Sequence, residues 1–79
     1  VLVHGAFGTA ESWDKVLPLL TRAHVPAVSV SLPLTSLADD AAATRRAIAR
    51  VRGPVLLVGH SWGGTVITEV GDAPNVAGL

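Results

Sequence analysis

The 79-residue sequence predicts an α/β fold, a three-layer sandwich in which helices cover both faces of a mostly parallel sheet. Two observations predict this class. Short β-branched runs alternate with longer helical patterns, as they do in βαβ units. The short runs are also apolar at consecutive positions, which suits parallel strands covered on both faces rather than strands with one wet face.

Four apolar runs are predicted as strands, each followed or preceded by Gly, Pro or polar residues. The last of them reads as the first residues of a further strand. The four runs cover residues 1–3, 27–32, 55–58 and 76–79.

The first helix is predicted over residues 12–23 because its apolar residues recur at helical spacing. Pro18 lies inside this span, and we expect it to bend the helix. The residues on the apolar face are Trp13, Val16, Leu17, Leu20 and Ala23.

The second helix has both end signals. Ser36 followed by Asp39 predicts a capping box at its start, and Gly53 followed by Pro54 predicts its end. Arg45, Arg46 and Arg50 fall off its apolar stripe. That stripe consists of Leu37, Ala41, Thr44, Ile48 and Val51.

A third helix is predicted after Gly64, against its own residue preferences. Thr65, Val66, Ile67, Thr68 and Val70 are β-branched and would favour a strand in isolation. The preceding turn must therefore impose the helix.

Composition bounds the size of the domain. The chain is 49% hydrophobic with 12 Ala and 12 Val, yet a globule of this length buries only about 60% of the surface that its unfolded chain exposes. We therefore expect a piece of a larger domain. The absence of Cys excludes disulfides and thiol chemistry within these residues, and it favours a cytoplasmic location.

Several partner classes are disfavoured. The formal net charge is zero, and the five Arg are spread over residues 22–52 without an aromatic platform, so we expect no nucleic-acid partner. The longest apolar run, residues 55–58, is far short of the roughly 20 residues of a membrane-spanning helix. No phosphate-binding glycine motif is present, and we expect neither a cofactor nor a metal.

Residues 55–64 run from an apolar strand through G-x-S-x-G into a helix, which is the pattern of a nucleophile elbow. Ser61 would lie on a tight, strained turn that projects its hydroxyl above the sheet. Gly59 and Gly63 would let strand and helix approach closely. We predict that Ser61 is the catalytic nucleophile; the alternative is a plain glycine-rich turn between a strand and a helix.

The loop after the first strand, residues 4–8, is the second candidate element. Acyl transfer needs two N–H donors for the developing oxyanion, and one of them normally comes from this loop. We predict the backbone N–H groups of Ala6 and Trp62, with Phe7 as the alternative to Ala6. The side chains of Phe7 and Trp62 are predicted to bind substrate. The structural alternative is a turn that merely ends the strand.

With these two elements in place, the sequence resembles the α/β-hydrolases. In particular it is similar to a small bacterial esterase-like branch that also resembles plant methyl-ester esterases. V-L-V-H-G-A-F at residues 1–7 and V-G-H-S-W-G-G at residues 58–64 carry the resemblance, together with the segment 32–40 between them. The resemblance implies that residues 1–79 run from the third strand of that fold to the start of the sixth.

The family order of the catalytic triad is Ser, then Asp or Glu, then His. No His follows Ser61. Glu69 and Asp72 follow closely, and we predict that both are surface charges. The resemblance therefore implies that the catalytic acid and base lie outside residues 1–79.

We predict that the three histidines have structural roles and do not take part in catalysis. His4 and His60 belong to the two motifs, and we predict that they support their loops by hydrogen bonds rather than acting as the base. His24 is predicted to be a solvated helix end.

The leading hypothesis is a carboxylesterase that acts on small esters through an acyl-enzyme at Ser61. The motif does not distinguish it from two other reactions on this fold, those of cofactor-free haloperoxidases and hydroxynitrile lyases. A third alternative is a non-catalytic homologue that binds a ligand in the pocket, which an intact Ser61 disfavours. The oligomeric state stays open.

Overall fold

A computed structural model describes all of residues 1–79. Every strand pairing in it is parallel, and helices follow the strands along the chain, which confirms the predicted α/β class. The elements are β1 (Leu2–Val3), a 3₁₀ helix (Ala10–Trp13), α1 (Leu17–Arg22), β2 (Ser29–Val30), α2 (Leu37–Ala49), β3 (Val55–Leu56), β4 (Val58–Gly59), α3 (Trp62–Val70) and β5 (Val76–Gly78).

The strands form a three-stranded sheet in the order β2-β1-β4 and a two-stranded sheet of β3 and β5. The predicted strand over residues 55–58 is therefore divided into two pieces with different partners. The pieces adjoin at Leu57, whose N–H donates to the carbonyl of Gly78 at 2.9 Å, while the next N–H, of Val58, donates to Val1 at 2.9 Å. Residues 55–59 thus hold the two sheets together.

The hydrogen-bonded strands are shorter than the apolar runs that predicted them. Only Ser29–Val30 of the predicted residues 27–32 pairs with β1. Leu32 is nevertheless buried, as are residues of the other runs. The apolar runs are therefore longer than the hydrogen-bonded strands, because the residues that follow a strand also pack in the core.

The prediction of one bent helix over residues 12–23 is wrong. A 3₁₀ helix ends at Trp13, and α1 begins only at Leu17, with Pro18 in its first turn. Proline is well accommodated there, since the N–H that it lacks would have no intrahelical acceptor. Pro18 therefore starts a helix instead of bending one.

His24 ends α1 in the left-handed region, with φ 60°. Its N–H donates to Thr21 at 3.0 Å, and the N–H of Val25 donates to Leu20 at 2.9 Å. This is the Schellman arrangement, which satisfies the last carbonyls of a helix. His24 is exposed, as predicted for a solvated helix end.

Helix α2 is confirmed, with differences at both ends. It ends at Ala49 with Arg50 as its C-cap, so Val51 and the predicted stop at Gly53 lie beyond it. The Ser36 hydroxyl accepts the N–H of Asp39 at 3.0 Å. The carboxylate of Asp39 does not return the bond to Ser36, because it accepts the hydroxyl of Thr35 at 2.6 Å. Half of the predicted capping box is therefore present. The buried residues of α2 are Asp40, Ala41, Ala43, Thr44 and Ile48.

Helix α3 is also confirmed, and it packs against α2 and β4. Its face toward the core contains Val66 and Val70, both fully buried. No helix is both long enough and apolar enough to cross a membrane. The core consists of Val3, Val30, Leu32, Ala41, Ala43, Ile48, Val55, Leu57, Val66, Ile67 and Val70.

Candidate active site

Ser61 lies between β4 and α3 with φ 55° and ψ −119°. A non-glycine residue at such angles is strained by about 1–3 kcal/mol and persists only where its surroundings impose the conformation. The side chain is exposed, and its hydroxyl makes no hydrogen bond within the chain. The predicted strained turn is therefore present, and the Ser61 hydroxyl is exposed and without a hydrogen-bond partner in the chain.

Two glycines permit this turn by close packing of backbone on backbone. A Cβ at Gly59 would lie 2.6 Å from the carbonyl carbon of Gly63, and a Cβ at Gly63 would lie 2.8 Å from the carbonyl oxygen of His4. Real Cβ atoms do not come so close to backbone atoms. The sequence-based explanation of Gly59 and Gly63 is confirmed.

The loop after β1 is held in place by the ring of His4, which is only 1% exposed. Its Nδ1 donates to the carbonyl of Gly5 at 2.8 Å. Its Nε2 accepts the N–H of Leu32 at 3.0 Å. Both ring nitrogens are thus engaged, which confirms the predicted supporting role of His4.

The corresponding prediction for His60 is wrong. Its ring is exposed and makes no hydrogen bond. The backbone of His60 supports the turn instead. Its N–H donates to the carbonyl of Val3 at 3.1 Å, and its carbonyl accepts the N–H of Gly63 at 2.9 Å. The imidazole itself faces an open cleft.

That cleft has a volume of about 490 Å³ and places the loop after β1 opposite the elbow. Phe7 is fully exposed on it. Sequence reasoning missed Trp13 and Val16 as cleft residues, because the break between the 3₁₀ helix and α1 turns them away from a common helix face. The lining residues are His4, Gly5, Ala6, Phe7, Gly8, Ser12, Trp13, Val16, His60 and Ser61.

The three backbone N–H groups predicted as oxyanion donors are not used by the fold. Neither Ala6 nor Phe7 donates a backbone hydrogen bond. Trp62 is the first residue of α3, so its N–H has no intrahelical acceptor. These groups lie on the two segments that flank the cleft, next to Ser61. All three N–H groups are therefore without a backbone acceptor in the fold.

With this geometry described, comparison with known proteins identifies the fold family. The sequence matches the alpha/beta hydrolase family over residues 1–79. The chain belongs to that family. Membership supports a hydrolase-type function in general. No curated protein and no solved structure matches the chain.

In this alpha/beta hydrolase the ring of Trp62 does not line the Ser61 cleft. Its Nε1 donates to the Oδ2 atom of Asp40 at 2.7 Å. The ring borders a second cavity of about 220 Å³, which shares Ala6 with the cleft and also contacts Leu34. Of the two predicted substrate-binding side chains, only Phe7 lies on the cleft.

Asp40 is the site residue that sequence reasoning missed. It lies near the N-terminus of α2 beside the exposed Asp39, yet it is only 1% exposed. A signal was present in the spacing: Asp40 follows Leu37 by three positions and precedes Thr44 by four, on the apolar stripe of α2. A carboxylate on that stripe indicates a buried acceptor.

The carboxylates that follow Ser61 lie away from the cleft. Glu69 is exposed on α3, and Asp72 forms an exposed ion pair with Arg45 at 3.2 Å. Arg45 also donates to the carbonyl of Glu69 at 3.2 Å. The prediction that both are surface charges is confirmed.

Proposed function

We propose that this alpha/beta hydrolase is a carboxylesterase that hydrolyses small esters through an acyl-enzyme on Ser61. The observation that carries the proposal is the strained turn at Ser61. Ser61 directly precedes α3, and its exposed side chain lines an open cleft. Strain of this kind is typical of functional residues, and the Ser61 hydroxyl has no hydrogen-bond partner within the chain.

The chemical steps follow from the groups around Ser61. Its Oγ attacks the ester carbonyl carbon while a base accepts the hydroxyl proton. The carbonyl oxygen becomes an oxyanion, which accepts hydrogen bonds from the N–H groups of Ala6 and Trp62, with Phe7 as the alternative to Ala6. The C–O bond to the alcohol then breaks, the alcohol takes the proton, and water hydrolyses the acyl-enzyme.

We propose that the acid and base come from outside residues 1–79. No side chain of the chain hydrogen-bonds to the Ser61 hydroxyl, and both nitrogens of His4 are engaged elsewhere. Glu69 and Asp72 lie on the far end of α3 and beyond it. His60 lines the cleft with a ring that makes no hydrogen bond, to Ser61 or to any other residue. We therefore propose that the base approaches Ser61 from the open side of the cleft.

The cleft walls favour an uncharged, partly apolar substrate. Phe7, Trp13 and Val16 contribute apolar surface, and no Asp, Glu, Lys or Arg lines the cleft. Its volume of about 490 Å³ fits a small ester. Trp62 would contact substrate only through the second cavity, beyond Ala6.

Labelling of the full-length protein with a fluorophosphonate probe tests the nucleophile. The natural sequence should be labelled with one probe per chain, on the peptide that contains Ser61, because an activated serine is phosphonylated at Oγ. Ser61→Ala should abolish both labelling and hydrolysis of p-nitrophenyl acetate. Ser31→Ala is the matched control, since Ser31 is exposed and outside the cleft.

Labelling that persists in Ser61→Ala would overturn the assignment. Labelling at Ser61 without turnover of any small ester would instead contradict the esterase activity while retaining the nucleophile. Assays for cyanohydrin cleavage and halogenation then distinguish the remaining reactions of this fold.

A further inference from the structure

Asp40 is a buried carboxylate with no assigned part in the reaction. Its Oδ1 accepts the backbone N–H of Leu34 at 2.8 Å. Its Oδ2 accepts the indole N–H of Trp62 at 2.7 Å. No lysine or arginine pairs with it. Asp40 therefore joins α2 to the elbow on one side and to the loop after β2 on the other.

The carboxylate of Asp40 has hydrogen-bond donors but no cation as partners. A buried carboxylate is unfavourable unless its oxygens accept hydrogen bonds. Here each oxygen accepts one N–H, and Asp40 lies near the N-terminus of α2, where the helix dipole favours negative charge. The bonds to Leu34 and Trp62 are consequently strong constraints on both partners.

Trp62 is the residue directly after the nucleophile. The bond of 2.7 Å restrains the side-chain torsions of Trp62 and, through them, its backbone at the start of α3. The backbone N–H of the same residue is the oxyanion donor of the proposed function. Movement of that N–H away from the cleft would therefore stretch the bond to Asp40.

We propose that Asp40 is a positioning residue for the oxyanion hole, acting through the indole of Trp62; this inference rests on the proposed function. The carboxylate holds Trp62 so that its backbone N–H points toward the cleft beside Ser61. It also holds Leu34, which has φ 60°. Asp40 touches neither the substrate nor the reacting atoms.

Three single variants of the full-length protein test the proposal with p-nitrophenyl acetate as substrate. Asp40→Asn replaces one acceptor oxygen by a donor, and Trp62→Phe removes the indole N–H but keeps the backbone N–H. Each should lower kcat by about tenfold with little change in KM, because one oxyanion donor is worth about 10²–10³ and is here displaced, not removed. Asp39→Asn is the matched control and should leave kcat unchanged, since Asp39 is exposed and its carboxylate accepts only the hydroxyl of Thr35.

The double variant, Asp40→Asn with Trp62→Phe, separates positioning from general damage. If one hydrogen bond carries the effect, its loss should lower kcat about as much as either single variant does. The proposal is overturned if the kcat losses of the two single variants multiply in the double variant. It is also overturned if KM rises without a fall in kcat, or if kcat is unchanged in Trp62→Phe. Circular dichroism establishes that each variant is folded, and where Asp40→Asn is not, Trp62→Phe alone decides.

A spectroscopic measurement keeps this test distinct from that of the proposed function. The indole N–H resonance of Trp62, assigned from its loss in Trp62→Phe, should shift upfield in Asp40→Asn and stay in place in Asp39→Asn. An unchanged resonance in Asp40→Asn contradicts the positioning role even if Ser61 is the nucleophile. Activity that survives Ser61→Ala contradicts the proposed function and leaves this resonance unaffected.

Discussion

Helices α2 and α3 pack against each other but arise from different causes. α2 is rich in alanine and begins with a side-chain cap from Ser36. α3 has no side-chain cap, begins after the strained Ser61 and is dominated by β-branched residues. Local sequence therefore specifies α2, whereas the turn and the core impose α3 on a segment that would favour a strand.

The packing of α3 explains how the core overrides that preference. Gly63, Val66 and Val70 are buried on one face, and Gly63 lies directly on the backbone of β1 and the residue after it. Most helical stability in proteins comes from such tertiary packing rather than from propensity. The same contact that holds α3 also holds the nucleophile turn.

The largest expected effect follows from separating α3 from β1. Gly63→Ala would place a Cβ within 2.8 Å of the His4 carbonyl oxygen, and we expect a loss of about 3 kcal/mol or more in the free energy of unfolding. Gly64→Ala is the matched control, since its Cβ would meet nothing within 4 Å. It should stabilise α3 by about 0.5–1 kcal/mol. Urea titration of both variants checks this, and equal effects would contradict the comparison.

A smaller effect is expected at the start of α2. Ser36→Ala removes the hydroxyl that accepts the N–H of Asp39 at 3.0 Å, and caps of this kind contribute about 1 kcal/mol. The measurement is the urea midpoint. Because α2 depends on local signals, Ser36→Thr should restore most of the loss, and a loss that Thr does not restore would argue against capping.

The smallest effect concerns the propensity of α3 itself. Thr65 is exposed and its hydroxyl makes no hydrogen bond, so Thr65→Ala should raise the free energy of unfolding by about 0.5 kcal/mol. The same thermal or urea titration measures it. A destabilised Thr65→Ala variant would show that Thr65 has a contact role and that α3 is not simply a poor helix former held by packing.

These helices also show which features a sequence can predict. The cap of α2, the end of α1 near His24 and the glycines of the elbow are local, because each depends on residues within a few positions. The elbow motif also predicted α3, because a strand followed by G-x-S-x-G is typically followed by a helix. Local patterns therefore predicted the elements and the nucleophile turn.

The errors concern what local patterns do not contain. Pro18 is compatible with a bend inside a helix and with the first turn of one, and the local sequence fits both. The bond between Trp62 and Asp40 joins residues 22 positions apart. No spacing rule predicts which buried carboxylate meets which indole, so the Trp62 ring was expected to line the cleft.

The junction at residues 55–59 has a consequence for the exchange of amide protons with solvent. The amides of Leu57, Val58 and His60 donate across the sheets at 2.9, 2.9 and 3.1 Å, so they exchange only when the sheets open. The amides of Ala6 and Phe7, without backbone acceptors, exchange freely in the native state. Slowly and rapidly exchanging amide protons are therefore expected on the two segments that flank the cleft, and the proposed oxyanion donors Ala6 and Phe7 belong to the rapid group.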